Sequence, residues 1–320
     1  MLVPLAALSA CAATAAPPVP SLSPTKVEAT TTVEAVSTEA SQDEDTTPRS
    51  ADAAPVTQTV LEGNLAQGGL ITGRTPPGSQ VLLDGDEILV DENGYFIIGF
   101  GRDHPDSAEL TVIPPGGEPV PRDLPIQPQE WLESNITVAE NKANPSADFD
   151  LKKIAKDKEL KEEARRGMTK DVFWTSEFIW PAEGCISSPF GYRRIVNGTP
   201  RRYHSGVDLA APDGMAPMDY IGTSIYAPAD GRITLAEPDM FFEGGLVFID
   251  HGQLLESALM HMSEVLVETG DFVEQGDLIG RIGMTGRSTG PHLHWSLKWR
   301  DRLLDAELTV PERPRCTPGL

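Results

Sequence analysis

The stretch GPHLHWSLKW, residues 290–299, alternates strictly between two kinds of side chain. Leu293, Trp295, Leu297 and Trp299 fall on one parity, and His292, His294, Ser296 and Lys298 on the other. Successive side chains of a strand point to opposite faces, so this pattern predicts a strand with an apolar back that aims two imidazoles the same way.

Five of the six histidines lie between residues 204 and 294, in stretches that read as strands or strand ends. In YHSGVDLAAP, His204 and Asp208 are four apart. Gly206 and the β-branched Val207 disfavour a helix there, and in a strand an even spacing puts both side chains on one face. Two strands can therefore present imidazole and carboxylate to one point. Zinc asks for such a point: hydrolytic sites commonly use three N, O or S ligands and leave a fourth position open for water. His104, in RDHPD, stands alone before a proline and is expected to be a surface turn residue rather than a ligand.

The rest of the chain limits what can surround that site. Its 320 residues and 39% hydrophobic content allow one or two cored domains plus unstructured segments. A formal net charge of −22 argues against a nucleic-acid partner, because phosphate binding needs clustered Lys and Arg. With three cysteines the chain is no disulfide-dense scaffold. Residues 1–11 end in LSAC and are expected to be a signal segment; residues 12–55 are Ala, Pro, Thr, Ser and acid with almost no aromatics, which predicts a disordered tether. No later segment reaches the roughly 18 apolar residues of a spanning helix.

Residues 56–138 alternate short apolar runs with turn signals. Asp84-Gly85 and Asn93-Gly94 are the strongest hairpin signals among them, and the region is expected to be a small β-sandwich-like domain. Residues 139–173 follow as a helical linker. Within them, residues 150–167 carry a thin apolar stripe of Leu151, Ile154 and Leu160, predicting a solvated helix that only spaces two domains and ends at Gly167. Residues 174–310 hold the histidines among many short strands with repeated Gly-Asp turns, and residues 311–320 form a C-terminal tail. The predicted fold class is mainly β.

From GCISSPFGYRR to GPHLHWSLKW the sequence resembles the lysostaphin and LytM type of zinc endopeptidase, the twenty-third metallopeptidase family, whose motifs are H-x-x-x-D and H-x-H. The resemblance covers roughly residues 180 to 308, through HSGVDLAAP, APADGRI, FIDHG, LMHMS, GDFVEQGDLIGRIGMTGRSTGPHLHW and LDAEL. It implies an antiparallel β domain of the duplicated-hybrid or barrel-sandwich kind with a groove over the metal. It also implies Zn2+ as cofactor, His204, Asp208 and His294 as ligands, and His261 and His292 as catalytic histidines. His251 matches a recurrent turn histidine and is expected to be structural. The segment DGMAPMDYIGTS, residues 213–224, is longer than the family's usual connection and is expected to lengthen a groove wall.

The implied substrate is peptidoglycan and the implied location is the periplasm or cell envelope. LSAC then resembles a bacterial lipobox with Cys11 as the lipidated residue; a secretory signal cut near ATAA is the alternative. In an oxidising compartment Cys185 and Cys316 could staple the catalytic region, or be two unrelated thiols. Three functions compete. A zinc endopeptidase uses all five positions, whereas a silent wall-binding scaffold or amidase activator would have lost ligands. A swinging-arm carrier leaves the histidines unexplained and lacks a lysine at a hairpin tip between the Gly-Asp turns.

Overall fold

The computed structural model describes residues 56–174 and 177–317; Cys11 and the expected tether lie outside the described residues. The chain begins with β1 (Val60–Gly63), β2 (Leu70–Arg74), β3 (Gln80–Leu83), β4 (Asp86–Ile88), β5 (Tyr95–Gly99), β6 (Ser107–Ile113) and β7 (Val120–Pro125). These build two antiparallel sheets, ordered β1-β2-β5 and β4-β3-β6-β7. Asp84 and Gly85 join β3 to β4 with φ of 51° and 86°, the doubly left-handed turn that a two-residue hairpin requires. The second turn departs from expectation. Asn93-Gly94 does not close a hairpin, because β4 pairs with β3 while β5 crosses to the other sheet. Asp91 decides this locally: its Oδ1 accepts from the backbone N–H of Asn93 at 3.0 Å and of Tyr95 at 2.6 Å, an Asx turn that redirects the chain.

Next come β8 (Glu133–Ile136), α1 (Glu140–Ala143) and α2 (Asp148–Arg166). The expectation that this helix is a wet spacer is corrected: α2 packs on the sheet that follows. Ala164 is buried with Leu246, Phe248 and Ala258, and Leu160 packs beside them. The polar residues on that stripe are satisfied rather than solvated. Arg165 grips Glu256 with Nε and Nη2 at 2.7 to 3.1 Å, Lys161 pairs with Glu243, and Asp157 accepts from the Phe241 N–H at 2.7 Å. A stripe rich in charge reads as solvent-facing unless its partners, some 80 to 90 residues later, are known.

The remaining strands are β9 (Cys185–Ser188), β10 (Arg193–Val196), β11 (Thr199–Tyr203), β12 (Val207–Ala210), β13 (Ser224–Tyr226), β14 (Gly231–Met240), β15 (Gly244–Asp250), β16 (Leu255–Met262), β17 (Glu264–Val265), β18 (Phe272–Val273), β19 (Leu278–Arg281), β20 (Leu293–Trp299) and β21 (Arg302–Leu304). The main sheet runs β18-β14-β15-β16-β20-β12-β9, with β21 on β20. As the alternation predicts, Leu293, Trp295, Leu297 and Trp299 are fully buried on one face. The opposite face is buried too, since His294 and Ser296 are covered. The core is continuous with the first two sheets: Leu304 and Trp299 lie where any Cβ on Gly99 would touch, and Arg302 donates to the Gly99 carbonyl at 2.9 Å.

Two tethers bear on the site. The β10–β11 hairpin pairs with β8, and the Asn197 side chain at its turn brackets Val138, accepting from its N–H and donating to its carbonyl, both at 3.0 Å. Four residues on, Lys142 donates to the Phe241 carbonyl at 2.9 Å, so the α1 segment is tied both to that hairpin and to the β14–β15 turn. The stretch expected to be a free tail adds to β9: Ile186 exchanges backbone hydrogen bonds with Pro314 and Cys316 at 3.0 and 2.9 Å. Cys185 and Cys316 form a disulfide with Cα atoms 4.9 Å apart, settling that alternative for the staple.

Two outcomes are expected from this architecture. The disulfide closes a sequence separation of 131, for which chain entropy sets a ceiling of about 5 kcal/mol of stabilisation. Denaturant titration of the Cys185→Ser, Cys316→Ser double variant should show a loss of several kcal/mol, and an unchanged midpoint would contradict the staple. The second concerns His251, which is fully buried. Its Nδ1–H donates to the Asp230 carbonyl at 2.7 Å, and its Nε2 faces the Ser257 hydroxyl at 2.8 Å, itself bonded by Trp295 Nε1. Burial lowers its pKa to about 4 from the usual 6.5. The unfolded chain thus takes this proton first, so about 3 kcal/mol of stability present above pH 6.5 is lost as pH falls toward 4. In His251→Asn the decline in denaturation midpoint from pH 7 to pH 4 should shrink accordingly.

Candidate metal centre

Sheet register builds the site. β12 and β20 pair antiparallel with Asp208 opposite His294, while Met260 of β16 and Ser188 of β9 flank that pair. His204 sits just ahead of β12, across the close approach of Gly206, where a Cβ would fall 2.1 Å from the Trp295 carbonyl oxygen. Only glycine lets the chain run that close to β20.

Three donor atoms converge. His204 Nε2 lies 2.9 Å from both Asp208 Oδ1 and His294 Nδ1, and His294 Nδ1 lies 2.7 Å from Asp208 Oδ1. All three residues are buried, and among the described residues theirs is the cluster of metal-type ligands that closes to this distance. The outer atoms of each are engaged. His204 Nδ1–H donates to the Pro189 carbonyl at 2.7 Å, which leaves Nε2 as a lone pair. His294 Nε2 meets the hydroxyls of Ser296 at 2.8 Å and Ser205 at 3.2 Å. Asp208 Oδ2 accepts from Arg194 Nη2 at 2.9 Å, leaving Oδ1 to face inward.

Burial pushes the Asp208 carboxyl up, but the imidazoles of His204, His292 and His294 around it outweigh this and hold the group well below the usual carboxylate range. Burial lowers His294 to about 4, against the pull of Asp208. Electron pairs on two imidazoles and a carboxylate thus face one another across less than 3 Å. Such a trio is repulsive without a cation between its members, and two nitrogens with one oxygen is a donor set that zinc takes. The residues present fit that ion.

The other two expected site histidines stand beside the trio. His292 precedes β20, with Nδ1–H donating to the Gly290 carbonyl at 2.8 Å and Nε2 turned to within 3.8 Å of Asp208 Oδ1. His261, on β16, follows Met260, which already faces the His294 row, so strict alternation would send its ring to the core. Instead His261 has φ of 68°. This left-handed kink brings its ring to 4.6 Å from that of His292 and 6.2 Å from that of His294. The backbone is held there by the His261 N–H bond to the Glu243 carbonyl at 2.8 Å, and the ring by Nδ1–H to the Thr285 carbonyl at 2.9 Å. Such a conformation costs about 1–3 kcal/mol for a non-glycine residue and persists where surroundings over-determine it. Burial, then repulsion from His292 and His294, lowers the pKa of His261 to about 3.

His251 lies in the core, away from the trio, as expected of a structural residue. His104 rests edge-on against Phe100 at 4.9 Å between ring centroids. Arg194, Ser188, Ser205 and Ser296 were not anticipated as site residues. Ser296 lies two residues from His294 on the same parity, a short spacing present in the sequence, whereas Ser188 pairs across from Asp208, Arg194 reaches Asp208 from a separate sheet, and Ser205 meets His294 from 89 residues away in the chain.

Residues 202–306 match peptidase family M23, and the chain carries a domain of that family. Over 122 residues it is 38% identical to the peptidoglycan DD-endopeptidase ShyA of Vibrio cholerae, a match spanning 38% of this chain and 26% of that protein. Over 113 residues it is 41% identical to the DD-carboxypeptidase/endopeptidase Mpg of Neisseria meningitidis, spanning 35% of this chain and 24% of that protein. The chain therefore spans about a quarter of the length of the curated relatives it matches. A solved structure of a putative peptidase M23 from Pseudomonas aeruginosa superposes with a TM-score of 0.56 at 27% identity, covering 77% of this chain and 95% of that one. That likeness extends beyond the M23 domain into the earlier sheets.

Removing a ligand should empty the site. His204→Ala, Asp208→Ala and His294→Ala are each expected to lose stoichiometric zinc in protein dialysed against the metal and then against buffer, as read by elemental analysis. Retention of one zinc per chain by His204→Ala would break the assignment.

Proposed function

We propose that this chain is a zinc-dependent endopeptidase that hydrolyses peptide cross-links of peptidoglycan at the cell envelope. The observation that carries the reading is the trio of His204, Asp208 and His294, with donor atoms within 2.9 Å of one another and two further imidazoles alongside. The M23 domain and the names of the relatives it matches support the substrate class. A site outside the cytoplasm follows from that substrate and agrees with the disulfide. Within that reading, Cys11 is the candidate for lipid anchoring, and residues 12–55 for a tether between membrane and catalytic region.

His204, Asp208 and His294 would hold the zinc, which when bound supplies a Lewis acid and brings the pKa of water toward neutrality. The Pro189 carbonyl and the Arg194 guanidinium fix which atoms of His204 and Asp208 point inward. His261 and His292 do the proton handling. Both commit Nδ1–H to a backbone carbonyl, so each offers Nε2 alone to the reacting centre. With its pKa lowered to about 3, His261 is neutral at pH 7, so its Nε2 presents a lone pair and the ring becomes a donor there only after it has taken a proton. Either ring, once protonated, can stabilise the oxygen of the attacked carbonyl and return the proton to the departing amine.

Turnover of cross-linked muropeptides tests this. His292→Ala and His261→Ala should retain one zinc and lose roughly 100- to 10,000-fold in rate, the usual span of a proton-transfer contribution. A wall-binding scaffold would behave otherwise: no muropeptide is cut by the wild type, and wall binding persists in zinc-stripped protein. Digesting purified sacculi with different cross-links and weighing the products identifies the bond.

A further inference from the structure

Arg201, three residues before His204, and Arg287, two residues after the Thr285 whose carbonyl holds the His261 ring, form no ion pair among the described residues, although Glu140 and Glu243 act on them from a distance. The β10–β11 ladder shifts register between Arg193 and Ile195, with Arg193 opposite Tyr203 and Ile195 opposite Pro200, so Arg194 lies across from Arg201 and Arg202. Arg194 reaches Asp208, and its buried Nε has no partner among the described residues. Arg201 Nη2 donates only to neutral oxygens, Asn144 Oδ1 at 2.5 Å and the Ala143 carbonyl at 3.3 Å. From another element comes Arg287, five residues before His292; its N–H donates to the Phe242 carbonyl at 2.8 Å and its guanidinium lies 4.6 Å over the Phe242 ring. Neither Arg201 nor Arg287 forms an ion pair among the described residues, though the chain has 48 acidic residues against 26 basic ones.

We propose that Arg201 and Arg287 form a carboxylate-binding subsite beside the metal centre, which reads a free carboxylate on the stem peptide close to the bond that is cut. The proposal rests on the peptidoglycan reading above and adds the chemical group by which that substrate is recognised. Arg201 donates to Ala143 at the end of α1, Lys142 of α1 donates to the Phe241 carbonyl, and Arg287 lies over the adjoining Phe242 ring, so the two cations meet at one segment; in keeping with this, partial desolvation lowers the pKa of Arg287, Glu243 opposes the shift, and repulsion from Arg201 and Arg194 adds to it. A carboxylate relieves that repulsion. A planar guanidinium matches a carboxylate with two parallel hydrogen bonds, and charge-assisted bonds are about twice as strong as neutral ones. An incoming carboxylate would therefore displace the Ala143 and Asn144 oxygens, which stand in for it at Arg201. In a chain of net charge −22, an anionic substrate also needs a local positive field to approach the site.

The test uses two synthetic cross-linked stem peptides, identical except that the carboxylates are free in one and amidated in the other, with the zinc-loaded full chain. Wild type should favour the free form by about 10- to 100-fold in kcat/KM, the range for a hydrogen bond to a charged group. Arg201→Gln with Arg287→Gln should bring the two peptides to equal kcat/KM with zinc content unchanged, and Arg287→Lys should keep part of the preference. Equal kcat/KM for both peptides in wild type, or a full preference in the double variant, overturns the subsite while leaving the peptidase reading intact. Titration calorimetry covers the case in which neither peptide is cut. Tighter binding of the free form, lost in the double variant, upholds the subsite although the peptidase reading falls; equal binding of both forms by wild type removes the subsite.

Discussion

Everything at the centre depends on one cross-strand pair, Asp208 opposite His294. Sheet periodicity is two, so a slip of one residue between β12 and β20 would turn Asp208 and His294 to opposite faces and send Val207 or Leu293 into the site. The apolar parity of β20 forbids that slip, because Trp295 and Trp299 are among the largest fully buried side chains and would be turned out of the core. The hydrophobic back of the strand is thus what aligns its polar front. Gly206 lets His204 join the row, and the carbonyls of Pro189, Thr285 and Gly290 set which nitrogen each imidazole presents.

His261 shows the opposite logic. Its neighbours on β16 obey alternation, and it reaches the site only by breaking it. The local strain is borne by the Glu243 and Thr285 carbonyls, both of which belong to turns beyond the strand itself. A left-handed histidine in an otherwise regular strand is the kind of local conflict that ordinary stability would remove, and its retention supports a role beyond packing.

The clustered trio was legible because its motifs are short-range: H-x-x-x-D holds His204 and Asp208, and H-x-H holds His294 beside His292, in stretches whose parity can be read directly. The mainly β fold was legible for the same reason, from turn signals and alternation. What escaped is long-range. Arg194 reaches Asp208 from a strand of a separate sheet, α2 hides its charges against Glu256 and Glu243, and the strand-like stretch through Cys316 finds its place beside Ile186. Asn93-Gly94 failed for a subtler reason. The dipeptide does mark a turn, but Asp91 two residues earlier chose a turn that changes sheets.

The disulfide between Cys185 and Cys316 encloses every site residue named here, from Ser188 to Ser296. A chain delivered vectorially, amino end first, can display His204 and Asp208 early, but β20 brings His294 only 90 residues later, and the clasp closes after that. Until residue 316 has emerged, β9 lacks the neighbour that completes its edge. The order of residues along the chain therefore acts as a clock: the three donor atoms can meet only once residue 294 is in place, and the clasp can close only once residue 316 has followed.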